Sequence, residues 1–232
     1  NPVDAEGKFK INIQHFSGLT VWEANPKVIN ILKDKNFLVH EEKFIHSYPH
    51  CWRHRSPIIF RATSQWFIGM EHKGSDGNSL RELANKAVTK TKFYPEWGKK
   101  RLESMIEGRP DWCISRQRNW GVPIPIFIHK DTDIPHPNTL NIFEIIAKKI
   151  EKNGIDAWFN IDNKSLLGSD VENYIKINDT LDVWFDSGTT HQSVLEQRDD
   201  LTSPADLYLE GSDQHRGWFQ SSLLTSCAIN GN

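Results

Sequence analysis

Sulfur is scarce in this sequence, with three cysteines and two methionines among 232 residues. Cys51, Cys113 and Cys227 lie far apart and are odd in number. This excludes a disulfide framework and points to a reducing compartment, the cytoplasm by default. A dominant charge is lacking too: 28 basic and 30 acidic residues leave a formal net charge of -2. The global field therefore does not draw in a polyanion, and any such binding must come from local patches. Long apolar runs are also missing. The longest, around Ile124 to Ile128 and Leu140 to Ile150, are too short or too interrupted to cross a bilayer, and the first residues carry no signal-peptide pattern. No internal repeat or low-complexity tract is present. What remains is a soluble chain long enough to bury a real core in one or two domains, without help from disulfides or metal.

Tryptophan is what the sequence has in plenty. Nine occur, and Trp52, Trp112, Trp120 and Trp218 stand beside arginine, glycine or proline rather than inside plain apolar runs. Aromatic rings usually pack, so the ordinary expectation for each is a core or boundary position. Along the chain, Asn25-Pro26 followed by Val28, Ile29 and Leu32 predicts an N-cap, a proline at the first helical position and a short amphipathic helix stopping near Asn36. Phe44-Ile45 and Pro57 to Phe60 are strand candidates around a turn at Ser47 to His50. Ser79 with Glu82 makes a capping box ahead of Leu80, Leu83, Ala84, Ala87 and Val88 at helical spacing. Further helices are predicted from Glu96 to Glu107, before Gly108 and Pro110, and from Leu140 to Asn153, before Gly154. Between them, two prolines confine Val122 to Ile128 to an edge strand or a strand entrance. Residues 155 to 180 show no clean period and read as the polar surface of an inserted module.

Two segments combine an apolar run, a carboxylate and a glycine. Tyr208-Leu209-Glu210-Gly211-Ser212-Asp213-Gln214-His215-Arg216-Gly217-Trp218 delivers Glu210 and Gly211 into a helix start, predicted to run from Asp213 to about Asn230 with Phe219, Leu223, Leu224 and Cys227 on one stripe. Asp182-Val183-Trp184-Phe185-Asp186-Ser187-Gly188 has the same form. In an open parallel α/β sheet, ligands bind beyond the carboxyl ends of strands, where glycine admits the backbone and a helix N-terminus offers free amides. Two such ends would define one pocket, with Glu210, Asp213 and Gln214 projecting into it and Trp218 one turn along the helix.

These residues carry a resemblance. His46 to Arg53 (His-Ser-Tyr-Pro-His-Cys-Trp-Arg), Phe60 to Phe67 (Phe-Arg-Ala-Thr-Ser-Gln-Trp-Phe), Trp112 to Gly121 (Trp-Cys-Ile-Ser-Arg-Gln-Arg-Asn-Trp-Gly), Trp184 to Gly188 and Gly211 to Trp218 follow one another as in class I aminoacyl-tRNA synthetases. The Glu-Gly-Ser-Asp-Gln-His-Arg-Gly-Trp form resembles the bacterial isoleucyl branch, and valyl and leucyl relatives share the Trp-x-x-Ser-Arg-Gln type of segment. The family's His-x-Gly-His signature, its editing centre and its Lys-Met-Ser-Lys-Ser loop are absent from the sequence. The resemblance therefore implies an internal piece: residues 1–46 as the tail of the editing insertion, 47–121 as the return into the catalytic domain, 122–178 as a smaller connective insertion, and 179–232 as second-half Rossmann-like elements.

By the same resemblance, Glu210, Gly211, Asp213 and Gln214 hold the isoleucyl-adenylate, and Trp184 and Trp218 wall the isoleucine slot. Arg116, Arg118 and Trp120 lie near the tRNA acceptor end, guanidinium groups suiting phosphates and aromatics suiting unstacked bases. The ordinary alternatives are an N-cap with surface acids for the first set, core packing for the two indoles, and a structural ion-pair strand for the arginines. A hydrophobic slot discriminates poorly against a side chain one methylene shorter, a limit for which isoleucyl-tRNA synthetases are themselves the standard example, so editing is implied elsewhere. The implied reaction joins isoleucine to AMP at the expense of ATP with Mg2+, then passes the acyl group to tRNA(Ile). No membrane enters, the full-length enzyme is a monomer, and the isolated piece would be inactive in isoleucine-dependent pyrophosphate exchange. Two other readings stay open: a non-catalytic RNA-binding module of the same ancestry, and a valyl-type relative.

His50, Cys51 and His54 invite a zinc reading, because some relatives carry Cys-x-x-Cys at this place. A single Cys-x-x-His half-site cannot supply four ligands, so no metal is expected within the sequence. Lys90, Lys92, Lys99, Lys100 and Arg101 form a basic run, most often a solvated helix face, with RNA backbone contact as the second reading.

Overall fold

In the computed structural model, residues 1–231 are described, and the chain divides into two compact units, Asn1–Ser64 and Gln65–Asn232. The first unit holds one helix, α1 (Val21–Asp34). It begins five residues before the predicted first turn, because Thr20 and Glu23 form a reciprocal capping box that outcompetes Asn25 as the start signal. Pro26 therefore lies inside the helix, where its missing N–H leaves the Trp22 carbonyl without its usual partner. The expected strands at Phe44-Ile45 and Pro57 to Phe60 do not form. That region pairs only through the isolated bridge His50 to Pro57, and Phe44, Ile45 and Phe60 stand exposed, so no buried face rewards an extended pairing.

The second unit carries the remaining elements: β1 (Phe67–Ile68), α2 (Leu80–Lys90), α3 (Trp97–Glu107), β2 (Trp112–Cys113), β3 (Ser115–Arg116), β4 (Phe127–His129), α4 (Thr139–Asn153), α5 (Asp156–Phe159), α6 (Asn163–Leu167), β5 (Tyr174–Lys176), β6 (Thr180–Leu181), α7 (Val183–Gly188) and α8 (Trp218–Asn230). Among the described residues the strands make three two-stranded antiparallel pairs, β1 with β2, β3 with β6, and β4 with β5. The mixed helix and strand content is that of an α/β class. The parallel strand ends expected at the two glycine motifs are absent, however: Asp182 caps a helix, and Leu207 to Gly211 runs without regular structure.

Two cores organise this unit. In the larger, Met70, Leu80, Ala84, Val88, Leu102, Ile106 and Trp112 meet Leu224 and Cys227, so α2, α3 and α8 pack face to face. The stripe predicted on the last helix is the one used, with Phe219 and Leu223 at its margin. Ser79 and Glu82 close the predicted capping box on α2, and α3 ends at Gly108 as expected. The smaller core gathers Phe127, Ile142, Ile146, Trp158 and Leu167. Residues 155 to 180 are thus not mere surface. Trp158 is fully buried, its ring edge-on to Phe127 at 5.2 Å and its Nε1 donating to the Ile177 carbonyl. Truncating so buried a ring typically costs about 3–5 kcal/mol. The short helices defeat period counting because only one residue of each, Trp158 and Leu167, is buried.

Candidate functional site

Asp182 sits where β6 gives way to α7, is 5% exposed, and joins the conspicuous segments of the sequence. Its Oδ2 accepts from the Trp112 indole Nε1 at 3.1 Å and from Arg116 Nη2 at 3.0 Å. Its Oδ1 accepts from the Trp184 amide at 3.3 Å, capping α7, while its own amide donates to the Ile114 carbonyl at 2.7 Å. A carboxylate suits this place because it is acceptor-only and can face donors on both sides. Burial first, and the Asp182 charge second, lift the Asp186 carboxyl above the usual carboxylate range.

From there α7 reaches α8 at two glycines. A Cβ at Gly188 would lie 2.8 Å from the backbone carbonyl of Ser221, and one at Gly217 would lie 2.5 Å from Gln214 Oε1 and 2.9 Å from the Trp184 ring. Glycine alone permits these approaches. The contact is fastened by Trp218 Nε1 donating to the Ser187 carbonyl at 3.0 Å and Thr225 Oγ1 donating to the Gly188 carbonyl at 2.8 Å.

The Trp184 ring thus packs against Gly217, the residue before Trp218, and the Tyr208 ring lies 4.6 Å from that of Trp218. The predicted helix start at Asp213 is a 3-10 turn, Ser212–Arg216, which breaks at Gly217 before α8 begins. Gln214 serves this break: its Oε1 accepts from the Trp218 amide at 3.0 Å, and its Nε2 donates to Asp213 Oδ2 at 2.9 Å. Gly211 and Asp213 are exposed on the same turn. Glu210 is exposed between Tyr208 and Gly211 and makes no hydrogen bond or ion pair among the described residues. His215 is a packed residue, its Nδ1 paired with the Ser212 carbonyl and its ring between Trp97 and Phe219.

The Trp-Cys-Ile-Ser-Arg-Gln segment is built largely from internal bonds. Ser115 Oγ donates to Gln65 Oε1 at 2.7 Å and accepts from the Trp66 amide, and Gln117 Nε2 donates to Asp179 Oδ2 at 3.1 Å. Arg116 is held by Asp182 and by the Cys113 and Ser115 carbonyls, as in the ion-pair alternative raised for it. Arg118 and Trp120 are exposed, the latter at 85%. Seven tryptophans take core or boundary positions: Trp112 and Trp158 are buried, Trp66 and Trp218 half-buried, and Trp22, Trp97 and Trp184 are exposed but pack on Tyr48, His215 and Gly217, whereas Trp52 and Trp120 stand out at 79% and 85% exposure. Lys92, Tyr94, Trp97, Lys99 and Lys100 border an open groove of about 610 Å³.

In the first unit, Cys51 Sγ lies 3.6 Å from His54 Nδ1. Hydrogen bonds from the His54 and Arg53 backbone, then from the His54 ring, lower the Cys51 thiol to about 7. Among the described residues no three His, Cys, Asp or Glu side chains converge on a point that would hold a metal. No helix among them is long and apolar enough to cross a membrane.

Sequence reasoning missed the hub at Asp182 and the cap formed by Gln214. The signal for the first was present, since an acid directly before a helix with an exposed start is an N-cap candidate. No spacing rule links it to Trp112 and Arg116, some seventy residues upstream.

Residues 9–232 match the family described as tRNA synthetases class I (I, L, M and V), and the chain belongs to the class I aminoacyl-tRNA synthetases. Within that class it is similar to isoleucine–tRNA ligases. It is 58% identical to that of Chromobacterium violaceum over 231 residues, covering 100% of the chain and 25% of the relative. It is 57% identical to that of Dechloromonas aromatica over 239 residues, covering 100% and 26%. The Neisseria meningitidis serogroup B ligase is 57% identical over 229 residues, covering 98% and 25%. The chain thus spans about a quarter of the length of these relatives.

Proposed function

We propose that this chain is a section of an isoleucine–tRNA ligase that forms isoleucyl-adenylate from isoleucine and ATP and passes the acyl group to tRNA(Ile) in the cytoplasm. The observation that carries this reading is the Trp184 ring lying against Gly217, next in the chain to Trp218 and beside the turn bearing Gly211, Asp213 and Gln214. Two indoles give flat apolar walls for a branched side chain. Acidic and amide groups at the adjoining turn give acceptors for the ammonium and ribose hydroxyls of the adenylate. Glu210, exposed next to this turn, supplies a further carboxylate. The isoleucine carboxylate is already ionised at neutral pH, so activation needs no protein base, and positioning with charge stabilisation carries the step.

Arg118 and Trp120 are placed to meet the tRNA acceptor end, with Arg116 shaping the strand that presents them. The division into an editing-insertion tail (1–46), a return into the catalytic domain (47–121), a connective insertion (122–178) and second-half Rossmann-like elements (179–232) belongs to the same reading, as does a monomeric full-length enzyme. Mg2+ is expected to arrive with ATP. Among the described residues no three His, Cys, Asp or Glu side chains gather to hold a metal, and Mg2+ bound with a nucleotide typically needs only one or two carboxylates.

The test is Trp218→Ala in the intact natural polypeptide, with isoleucine- and valine-dependent pyrophosphate exchange measured side by side. The reading expects the ratio of the two kcat/KM values to fall, since a wall of the slot is removed. An unchanged ratio takes Trp218 out of the slot.

A further inference from the structure

Asp182 lies buried at the start of the helix that carries Trp184 and has two sets of donors to satisfy. One oxygen serves Trp112 and Arg116, on the segment ending in Arg118 and Trp120; the other caps the helix that carries Trp184. We propose that Asp182 is a positioning residue that sets the first turn of α7, and through it where the Trp184 ring sits against Gly217, next to Trp218. This rests on reading those two indoles as the isoleucine slot.

The first turn of α7 is set by this cap together with Phe185, which packs against the larger core and lies 5.9 Å from the Trp112 ring. At its start the cap on Trp184 N is the bond to Asp182 Oδ1. At its end the helix is pressed against Ser221 and held by the bonds from Trp218 to Ser187 and from Thr225 to Gly188. A rotation of α7 about that far end moves Trp184 relative to Gly217, where the fit leaves no slack. Because Arg116 is also tied to the Cys113 and Ser115 carbonyls, the anchor on the other side of Asp182 is fixed. The carboxylate is therefore a bridge between a rigid strand and the first turn of α7, where Trp184 begins its approach to Gly217.

Asp182→Asn separates the two duties with almost no change of volume. The amide has one acceptor oxygen and two N–H donors. If the oxygen faces Trp112 and Arg116, an NH2 group opposes the Trp184 amide and the cap is lost. If it flips, the cap survives and two donors face an NH2 group. Either arrangement breaks the bridge.

The experiment uses the intact natural polypeptide. For Asp182→Asn we expect the isoleucine KM to rise about tenfold, with the ATP KM moving less than about twofold and the isoleucine-to-valine ratio narrowing, since misplacing a binding wall by a fraction of an ångström is felt at that subsite alone. A purely structural role would lower stability and the active fraction while leaving the isoleucine KM of the folded enzyme unchanged, and that result overturns the proposal. Nitrogen-15 indole signals give a readout independent of activity. The bridge predicts that Asp182→Asn shifts the Trp218 Nε1–H signal as well as that of Trp112, and a change confined to Trp112 overturns it. If Asp182→Asn does not fold, Trp112→Phe removes one donor and keeps the acid. An isoleucine KM raised about threefold, the size of one partial hydrogen bond, supports the bridge, and no change sinks it. A folded wild type with no isoleucine-dependent exchange would instead defeat the functional reading, leaving the indole signals to decide the geometry.

Discussion

Gly188→Ala places one methyl group where α7 meets α8. The added Cβ would lie 2.8 Å from both the carbonyl carbon and oxygen of Ser221 and 3.1 Å from its Cβ. Ordinary carbon contacts need about 3.5–4.0 Å, so the helices must part by roughly 0.7–1.2 Å. The neighbour is backbone inside a helix and cannot swing aside. Overpacking of this kind costs about 1–3 kcal/mol. Separation also stretches two bonds that now measure 3.0 Å and 2.8 Å, from Trp218 Nε1 to Ser187 and from Thr225 Oγ1 to Gly188. Each contributes about 0.5–1.5 kcal/mol. Against this, alanine favours helix over glycine by no more than about 1 kcal/mol, and less at the last helical residue. The net expectation is a loss of about 2 kcal/mol, roughly a thirtyfold shift toward the unfolded state. Urea unfolding followed by tryptophan fluorescence measures it as a lowered midpoint at unchanged slope. A variant as stable as wild type, or more so, would refute the close approach and leave helix propensity as the larger effect.

Two further outcomes follow from the titrating groups. Cys51, lowered to about 7, and Cys227, pushed up to about 11 by burial, differ about five-thousandfold in thiolate at neutral pH. The lower intrinsic nucleophilicity of the more acidic thiol reduces this to about a hundredfold in iodoacetamide alkylation rate before access is counted. Peptide mapping after a short exposure should find Cys51 modified before Cys227, with a half-maximal rate near pH 7, and equal labelling of the two would contradict the hydrogen bonding of Cys51 by His54 and Arg53. Asp186, whose carboxyl is raised by burial and then by Asp182, binds its proton more tightly folded than unfolded. Stability from this group is therefore full at low pH and declines as pH rises from the ordinary carboxylate value through the raised one. Asp186→Asn should accordingly unfold at a higher temperature than wild type at pH 7, with the difference closing toward pH 3. A gap that stays constant with pH would show that the carboxyl does not titrate as described.

What could be read from the sequence was what is encoded locally. The capping box at Ser79 and Glu82, the end of α3 at Gly108 and the helix before Gly154 each depend on residues within one turn, and each appears in the structure. At the first helix two local signals competed: Asn25-Pro26 offered a plausible start, and Thr20 with Glu23 satisfied two orphan amides at once. Strand expectations fared worse. An apolar run such as Leu207 to Leu209 becomes a strand only if a partner edge is available, and that information lies outside the run. The segments bearing Trp184 and Trp218 meet as a helix pair, with the Trp184 ring on Gly217, rather than as two strand ends. Asp182 escaped notice as a hub for the same reason, since its partners Trp112 and Arg116 are distant in sequence and adjacent only once β3 pairs with β6.

The smaller core has a consequence for how this polypeptide tolerates change. Ile124 donates to Asp179 and Ile177 donates to Ile126, so the loop of chain built around Trp158 departs and comes back at one point, its two stems zipped side by side. An excursion closed at its neck exerts no leverage on the body that bears it. A shortening of the segment beyond this neck is therefore expected to leave the helices bearing Trp184 and Trp218 in their places.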